Sequence, residues 1–212
     1  VGIGSSSPLS ALDVSNSFIT VSKGAATTGR MGASDYIAGG TDNDFILQAT
    51  GSGKTRLYQS GVQSLIIDNA GHVTMPAQPC FSATAATTNI PVTTSTTVTL
   101  SSERFDVGNN LTNNIFTAPI TGKYLFTYIF YIANLDAGHT TFDAHILTSN
   151  KQYQQTFKPS VFMNSDGNFG VSGSVIADMD INDTCRFNVY VSGGAAQTDI
   201  HADSHVSGCL LF

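Results

Sequence analysis

Three stretches of this 212-residue chain place side chains at spacings that could do chemistry. Ala49-Thr50-Gly51-Ser52-Gly53-Lys54-Thr55 has the glycines, lysine and hydroxyl of a phosphate-cradling loop. Such a loop needs a strand before it and a helix N-terminus after it, so that backbone amides meet the phosphates. Here Gln48 stands where the first glycine belongs, Arg56-Leu-Tyr-Gln-Ser-Gly-Val is no capped amphipathic helix, and no acidic magnesium-binding strand follows. A polar hairpin turn is the expected structure. His201-x-Asp203-x-His205 would put imidazole, carboxylate and imidazole on one face of an extended segment, a donor set for zinc. Plain alternation on a wet face, with Ile200 and Val206 carrying the burial, gives the same pattern and is the expectation. Asp178-x-Asp180-x-x-Asp183, with Asn182, offers oxygens to calcium, but Asp and Asn also build tight turns, and Asp42-Asn43-Asp44 reads the same way. No resident cofactor is therefore expected; zinc or calcium are the ions these sets would take.

No Ser/His/Asp or Cys/His set lies in a hydrolase context, and glutamate is nearly absent, so an enzyme is not expected. A paired-carboxylate polysaccharide depolymerase is the enzymatic alternative. Charged residues make up only 11% of the chain and the formal net charge is -6, with no basic run. Nucleic acid and anionic membranes are poor partners for such a surface, and no apolar run reaches the length of a membrane span. Ser, Thr, Asn and Gly replace the charges, which favours turn-rich β structure over helix. Cys80, Cys185 and Cys209 fit no zinc pattern; buried free thiols are expected, with a Cys185–Cys209 bridge as the alternative.

The elements that must position any site begin with Phe116 to Ile132, FTAPITGKYLFTYIFYI. Pro119 suits a strand end, Thr121-Gly122 is a turn signal, and Tyr124, Phe126, Tyr128, Phe130 and Ile132 then alternate with Leu125, Thr127, Ile129 and Tyr131. Both faces are largely apolar, whereas an antiparallel strand normally wets one. One face is expected to meet the core and the other, at Leu125, Ile129 and Tyr131, a second subunit. Further strands are expected at about 81–83, 92–100, 115–118, 141–149, 153–158, 169–177, 186–191 and 206–212, with turns rich in Asn, Asp and Gly between them.

Phe81-Ser82-Ala83, Phe105-Asp106, Phe116-Thr117-Ala118-Pro119, Gly122-Lys123-Tyr124-Leu125-Phe126, Asn182-Asp183 and Val206-Ser207-Gly208-Cys209-Leu210-Leu211 follow in the order and spacing of the C1q/tumour-necrosis-factor-like domain. Residues 80–212 resemble that family, with Asn182 in place of its usual Gly and Val206 in place of its usual Phe. The resemblance implies an all-β, ten-stranded jelly-roll sandwich that packs as a tight trimer and binds ligands, without enzymatic activity.

Residues 1–75 read differently. Val1-Gly-Ile-Gly-Ser-Ser-Ser-Pro8 with Leu12-Asp13-Val14, and later Leu65-Ile66-Ile67-Asp68-Asn69-Ala70-Gly71-His72-Val73-Thr74-Met75, resemble the repeat in shafts of bacteriophage tail fibres. The chain is thus expected to begin inside a repeat and to be the C-terminal piece of a longer fibrous protein. Short alternating runs at 18–21, 35–38, 45–48, 56–59 and 62–67 are too poor in large apolar residues to bury a core alone and would need stacking on identical chains. Pro76-Ala77-Gln78-Pro79 reads as a linker.

Together these readings describe a repetitive trimeric β shaft (1–75), a linker (76–79) and a jelly-roll head (80–212). The expected function is the distal part of a homotrimeric viral tail fibre, an extracellular virion component attached to upstream fibre or baseplate proteins. Its head would bind a host-surface glycan or envelope protein without inserting into the membrane. Loop tips carry such binding, because loops vary without unfolding a sandwich. The candidates are Asn134, Asp136, His139, Phe162, Asn164, Asp166, Asn168 and Gln197. A trimerisation cap with no receptor contact is the alternative.

Overall fold

The structure, a computed structural model, describes residues 2–3, 13–14, 18–23, 26–33, 45–49 and 52–212. The Ser-Pro at 7–8, the strand expected at 35–38 and Asp42-Asn43-Asp44 lie outside the described residues. The chain divides into two compact units, Val1–Ala77 and Gln78–Phe212.

In the first unit β1 (Gly2–Ile3) pairs in parallel with β2 (Asp13–Val14). Strands β3 (Phe18–Lys23), β4 (Ala26–Ala33) and β5 (Phe45–Ala49) form one antiparallel sheet. Strands β6 (Thr55–Gln59), β7 (Val62–Ile67) and β8 (Val73–Thr74) form another. Because β6 begins directly after Lys54, no helix N-terminus exists there to meet a phosphate. The turn from β7 to β8 is held by Asp68, whose carboxylate accepts the amides of Ala70 and His72 and pairs with the His72 ring at 3.0 Å. That hydrogen bond from His72 holds the Asp68 carboxyl below its usual range. Leu57, Val62, Val73 and Met75 stay exposed on these small sheets.

The second unit is a sandwich. One sheet orders β11 (Leu100–Val107), β9 (Cys80–Thr87), β19 (Asp199–Leu210), β14 (Gly122–Leu135) and β17 (Gly167–Met179). The other orders β12 (Leu111–Thr112), β13 (Ile115–Thr117), β18 (Thr184–Ser192), β15 (Thr141–Thr148) and β16 (Gln152–Phe157), and β10 (Thr96–Thr97) also pairs with β18. A single turn, α1 (Pro159–Phe162), precedes β17. All pairings in both sheets are antiparallel, and β9, β19, β14 and β17 are neighbours although far apart in sequence, which is jelly-roll connectivity. Two short strands, β10 and β12, raise the count to eleven among the described residues, one more than expected.

Between the sheets lie Tyr124, Phe126, Tyr128, Phe130 and Ile132 of β14, all buried, together with Phe81, Phe116, Phe142 and Phe187. Phe81 stacks on Phe116 at 5.1 Å and Tyr128 on Phe130 at 4.6 Å. Burial pushes the Tyr128 hydroxyl up to about 12, and it donates to Gln155 Oε1 at 3.0 Å. The opposite face of β14 looks outward: Ile129 is 61% exposed, and Ile176, opposite Leu125 on β17, is 59% exposed. Around them stand the small hydroxyl residues Ser172, Ser174, Ser207, Thr127 and Thr84, with His205 opposite Ile129 and the Lys123–Asp178 ion pair beyond Leu125 and Ile176.

Three expectations need correction. The strand expected over 92–100 shrinks to Thr96–Thr97, and the long strand is Leu100–Val107. Its Ser101–Arg104 segment is polar and exposed on a sheet edge with two register shifts, so it shows no alternation. The final strand starts at Asp199, not near 206, because an irregularity between Ile200 and Ser204 hides the pairing from a period-two reading. Finally, the bridge is Cys80–Cys209, between residues directly opposite on β9 and β19, and Cys185 is the free, buried thiol, its pKa raised by burial. Cys185 points into the core from β18 in the other sheet, which rules out the Cys185–Cys209 pairing.

The bridge closes a sequence separation of 129 residues, nearly the whole unit. Replacing Cys80 and Cys209 by Ser is expected to cost about 2–5 kcal/mol in urea unfolding under non-reducing conditions, with no difference from the parent chain once reductant is added. A Cβ at Gly208 would lie 2.5 Å from Phe81 Cε1 and 2.6 Å from Phe126 Cδ1. Gly208→Ala should therefore destabilise the sandwich by about 1–3 kcal/mol through overpacking, read by the same titration.

Candidate functional site

Four connections meet at one end of the sandwich: those after β9, between β14 and β15, before β17, and between β18 and β19. Asn134, near the end of β14, has a left-handed conformation (φ 52°) within a register irregularity between Ile132 and Leu135, after which Leu135 pairs again with Gly167. The loops enclose an open cleft of about 380 Å³, lined by Asn89, Asn134, Asp166, Gly167, Gln197 and Asp199. Asn134 Nδ2 donates to Asp199 Oδ2 at 2.9 Å, and the Asn89 amide donates to Asp199 Oδ1 at 2.7 Å. Gln197 Nε2 donates to Asp166 Oδ2 at 2.7 Å, while Asp166 Oδ1 accepts the Ala137 amide at 2.8 Å. These bonds, the Ala137 amide first, hold the Asp166 carboxyl below its usual range.

Asp136 and His139 lie beneath the cleft instead of lining it. His139 is fully buried; its Nδ1 faces the Gly193 carbonyl at 2.7 Å and its Nε2 the Thr198 hydroxyl at 2.8 Å. A carbonyl only accepts, so Nδ1 carries a proton. Asp136 accepts the amides of Gly138 and Ala195. Gly193 and Gly194 both have positive φ, which brings their loop close to these two side chains. Asp136 and His139 were expected to contact a receptor. Their burial makes them supports that tie the β14–β15 loop to the β18–β19 loop.

The remaining candidates disperse. Phe162 packs at 6.0 Å from Phe157 and 5.4 Å from Phe169, outside the cleft lining, and Asn164 is exposed in the turn beyond it. Asn168 donates to the Tyr131 hydroxyl at 2.8 Å, on the outward face of the five-stranded sheet. Asp199 closes the candidate loop 193–199, whereas Asn89 lies in none of the loops the sequence singles out; only the turn potential of Thr88-Asn89 could have signalled it.

The metal candidates do not assemble. β19 carries two extra residues between Ile200 and Ser204 relative to β9 and β14, so the period-two premise fails across 201–205. His201 packs on Tyr131 at 4.8 Å and faces Asp203 at 3.4 Å, while His205 is opposite Ile129. Asp183 accepts from Ser149, Asn150 and the Asp180 amide, and Asp178 pairs with Lys123. Among the described residues no three His, Cys, Asp or Glu side chains gather as a metal site.

No protein-family model matches the chain, and no curated protein matches it. Solved structures similar to it include the globular domain of zebrafish complement 1qA protein, 17% identical over 64% of this chain and 98% of that one, with a TM-score of 0.46. Murine APRIL is 10% identical over 63% and 99%, with a TM-score of 0.46. The PRD1 vertex protein is 13% identical over 64% and 99%, with a TM-score of 0.42. At these values the likenesses carry nothing of function to this chain, and the fold rests on the strand order above.

Asp166 stitches the cleft in its charged form. Because its folded pKa is lowered from 3.8, its contribution is complete above that pH and fades as the pH falls through the lower folded value. Asp166→Ala at neutral pH should lower the hydrogen-exchange protection factor of the Ala137 amide while leaving that of Phe126 unchanged, and acidification of the parent chain below pH 3.8 should lower the same protection factor once the intrinsic rate is corrected for pH.

Proposed function

We propose that this chain is the distal part of a trimeric viral tail fibre, an extracellular virion component. In this reading the sandwich is a receptor-binding head that attaches the particle to a host-surface glycan, with an envelope protein as the other receptor class. The observation that supports it is the loop-end cleft, where three sequence candidates, Asn134, Asp166 and Gln197, meet Asn89 and Asp199. Sugar hydroxyls both donate and accept, and this lining of amides and carboxylates answers in both senses. Two carboxylates and no cation among the lining residues favour a neutral or amino sugar over a sialylated or phosphorylated one. Binding comes from hydrogen bonds, since no aromatic side chain is in the lining.

Trimerisation fits the outward face of β14 and β17. Leu125, Ile129, Tyr131 and Ile176 form an apolar strip bordered by small hydroxyls, His205 and the Lys123–Asp178 pair, a surface that two further copies can cover around an axis. The first unit, with its exposed Leu57, Val62 and Val73, fits a shaft whose sheets stack on identical chains. Three heads would also multiply weak single-site contacts through effective concentration. The same strip favours a second reading, in which the head only sets register for the shaft. Asp166 and Asp199 are each engaged as hydrogen-bond acceptors, which fixes their oxygens in the lining.

Gln197→Ala with Asp199→Ala separates the two. Binding of the full chain to host cells and to a glycan array should fall at least about tenfold, as expected when buried polar contacts are removed, with the melting temperature as a control for folding. Undiminished adsorption would overturn the receptor-binding reading and leave the cap.

A further inference from the structure

β15 has two buried faces. Phe142, Ala144 and Ile146 fill the core, yet Asp143 and His145, pointing out of the sandwich, are only 8% and 5% exposed. Asn188, directly opposite His145 on β18 and also on the outer side, is 3% exposed. Three polar side chains thus occupy adjoining positions on one face of the sheet: Asp143 and His145 two residues apart on a strand, and Asn188 across from His145.

Each has an atom that is shut off from solvent and bonded to nothing: Asp143 Oδ1, His145 Nε2 and Asn188 Oδ1. Burying such a group unpaired is costly, and three together is unusual. The Asn188 amide is oriented by its Nδ2, which donates to Ser95 Oγ at 3.0 Å, and this leaves Oδ1 free on the other side. Asp143 and Asn188 offer only lone pairs there, so neither can satisfy the other. With its proton on Nδ1, the His145 ring presents a third lone pair at Nε2. A single water has two O–H donors and cannot answer three lone pairs. A cation can.

We propose that Asp143 Oδ1, His145 Nε2 and Asn188 Oδ1 are the protein ligands of a divalent transition-metal ion, zinc being the best match. One imidazole nitrogen and two oxygens, one of them anionic, are a borderline donor set of the kind zinc takes, with water completing the shell. Arg186, the next outward residue on β18 before Asn188, is opposite Leu147 and exposed, so its charge is spent in solvent and not against the site. None of the three ligands lines the loop-end cleft, so this site stands or falls independently of the receptor reading. It also differs from the His201/Asp203/His205 set, which does not gather as a three-ligand site.

The test uses the untagged full chain, stripped with a chelator and titrated with zinc by calorimetry, with cobalt as the spectroscopic probe. One zinc per chain should bind, and the melting temperature should rise by about 5–10 °C at a hundredfold excess over the dissociation constant. Cobalt should give the visible bands of a site with few ligands. His145→Gln should weaken zinc at least about tenfold, with Asp143→Asn as the second variant should the first fail to fold. His201→Ala with His205→Ala should bind as the parent does. No zinc uptake by the parent chain, or uptake unchanged in the folded His145 or Asp143 variant, would overturn the site.

Discussion

One strand, Gly122–Leu135, bears the structure of the second unit. Its inward aromatic row is the centre of the core, and its two hydrogen-bonded neighbours, β17 and β19, extend the same sheet on either side. No shift of register is available to it. A slip by one residue would turn Tyr124, Phe126, Tyr128 and Phe130 to the outside and Leu125, Thr127 and Ile129 to the inside. Gly173 and Gly208, its partners across the ladder, have no side chain because the Tyr128 and Phe126 rings take that space. The constraint also leaves something over: a strand greasy on both faces, with only one face covered within the chain.

The ends of that strand decide where function can be. Its start is pinned by the Tyr124 hydroxyl on the Ile120 carbonyl, and its far end passes through the irregularity at Asn134 before Leu135 closes the pairing. From there the loop is drawn down onto buried His139 and Asp136, which also hold the β18–β19 loop. The cleft above them is thus built on a rigid floor. Its polar lining is held by bonds between loops, not by the mobility of any one of them, which is how a sandwich presents a shaped surface without weakening its core.

The sequence made the core legible because alternation is a strong signal where one face is uniformly aromatic, as from Tyr124 to Ile132. It failed where the ladder is irregular. The two extra residues near Ala202 made His201, Asp203 and His205 look like a row, and the edge strand Leu100–Val107 had no buried side to betray it. The cleft was half legible. Turn chemistry pointed to the right loops, but which side chains face out and which go under depends on tertiary packing; His139 and Asn134 look equally polar in the sequence and end in opposite places. The Cys80–Cys209 pair was missed because their cross-strand register follows from a pairing 129 residues apart.

Ile129 on β14 and Ile176 on the neighbouring edge strand β17 are what remains: apolar and exposed on the outward face of the sheet. The proposed account covers them with two more copies of the chain. Sedimentation equilibrium of the full chain over a wide concentration range is the most direct measurement. A single species near three times 22.3 kDa, about 67 kDa, is the predicted result. A folded 22.3 kDa species that persists at the highest concentration would contradict it.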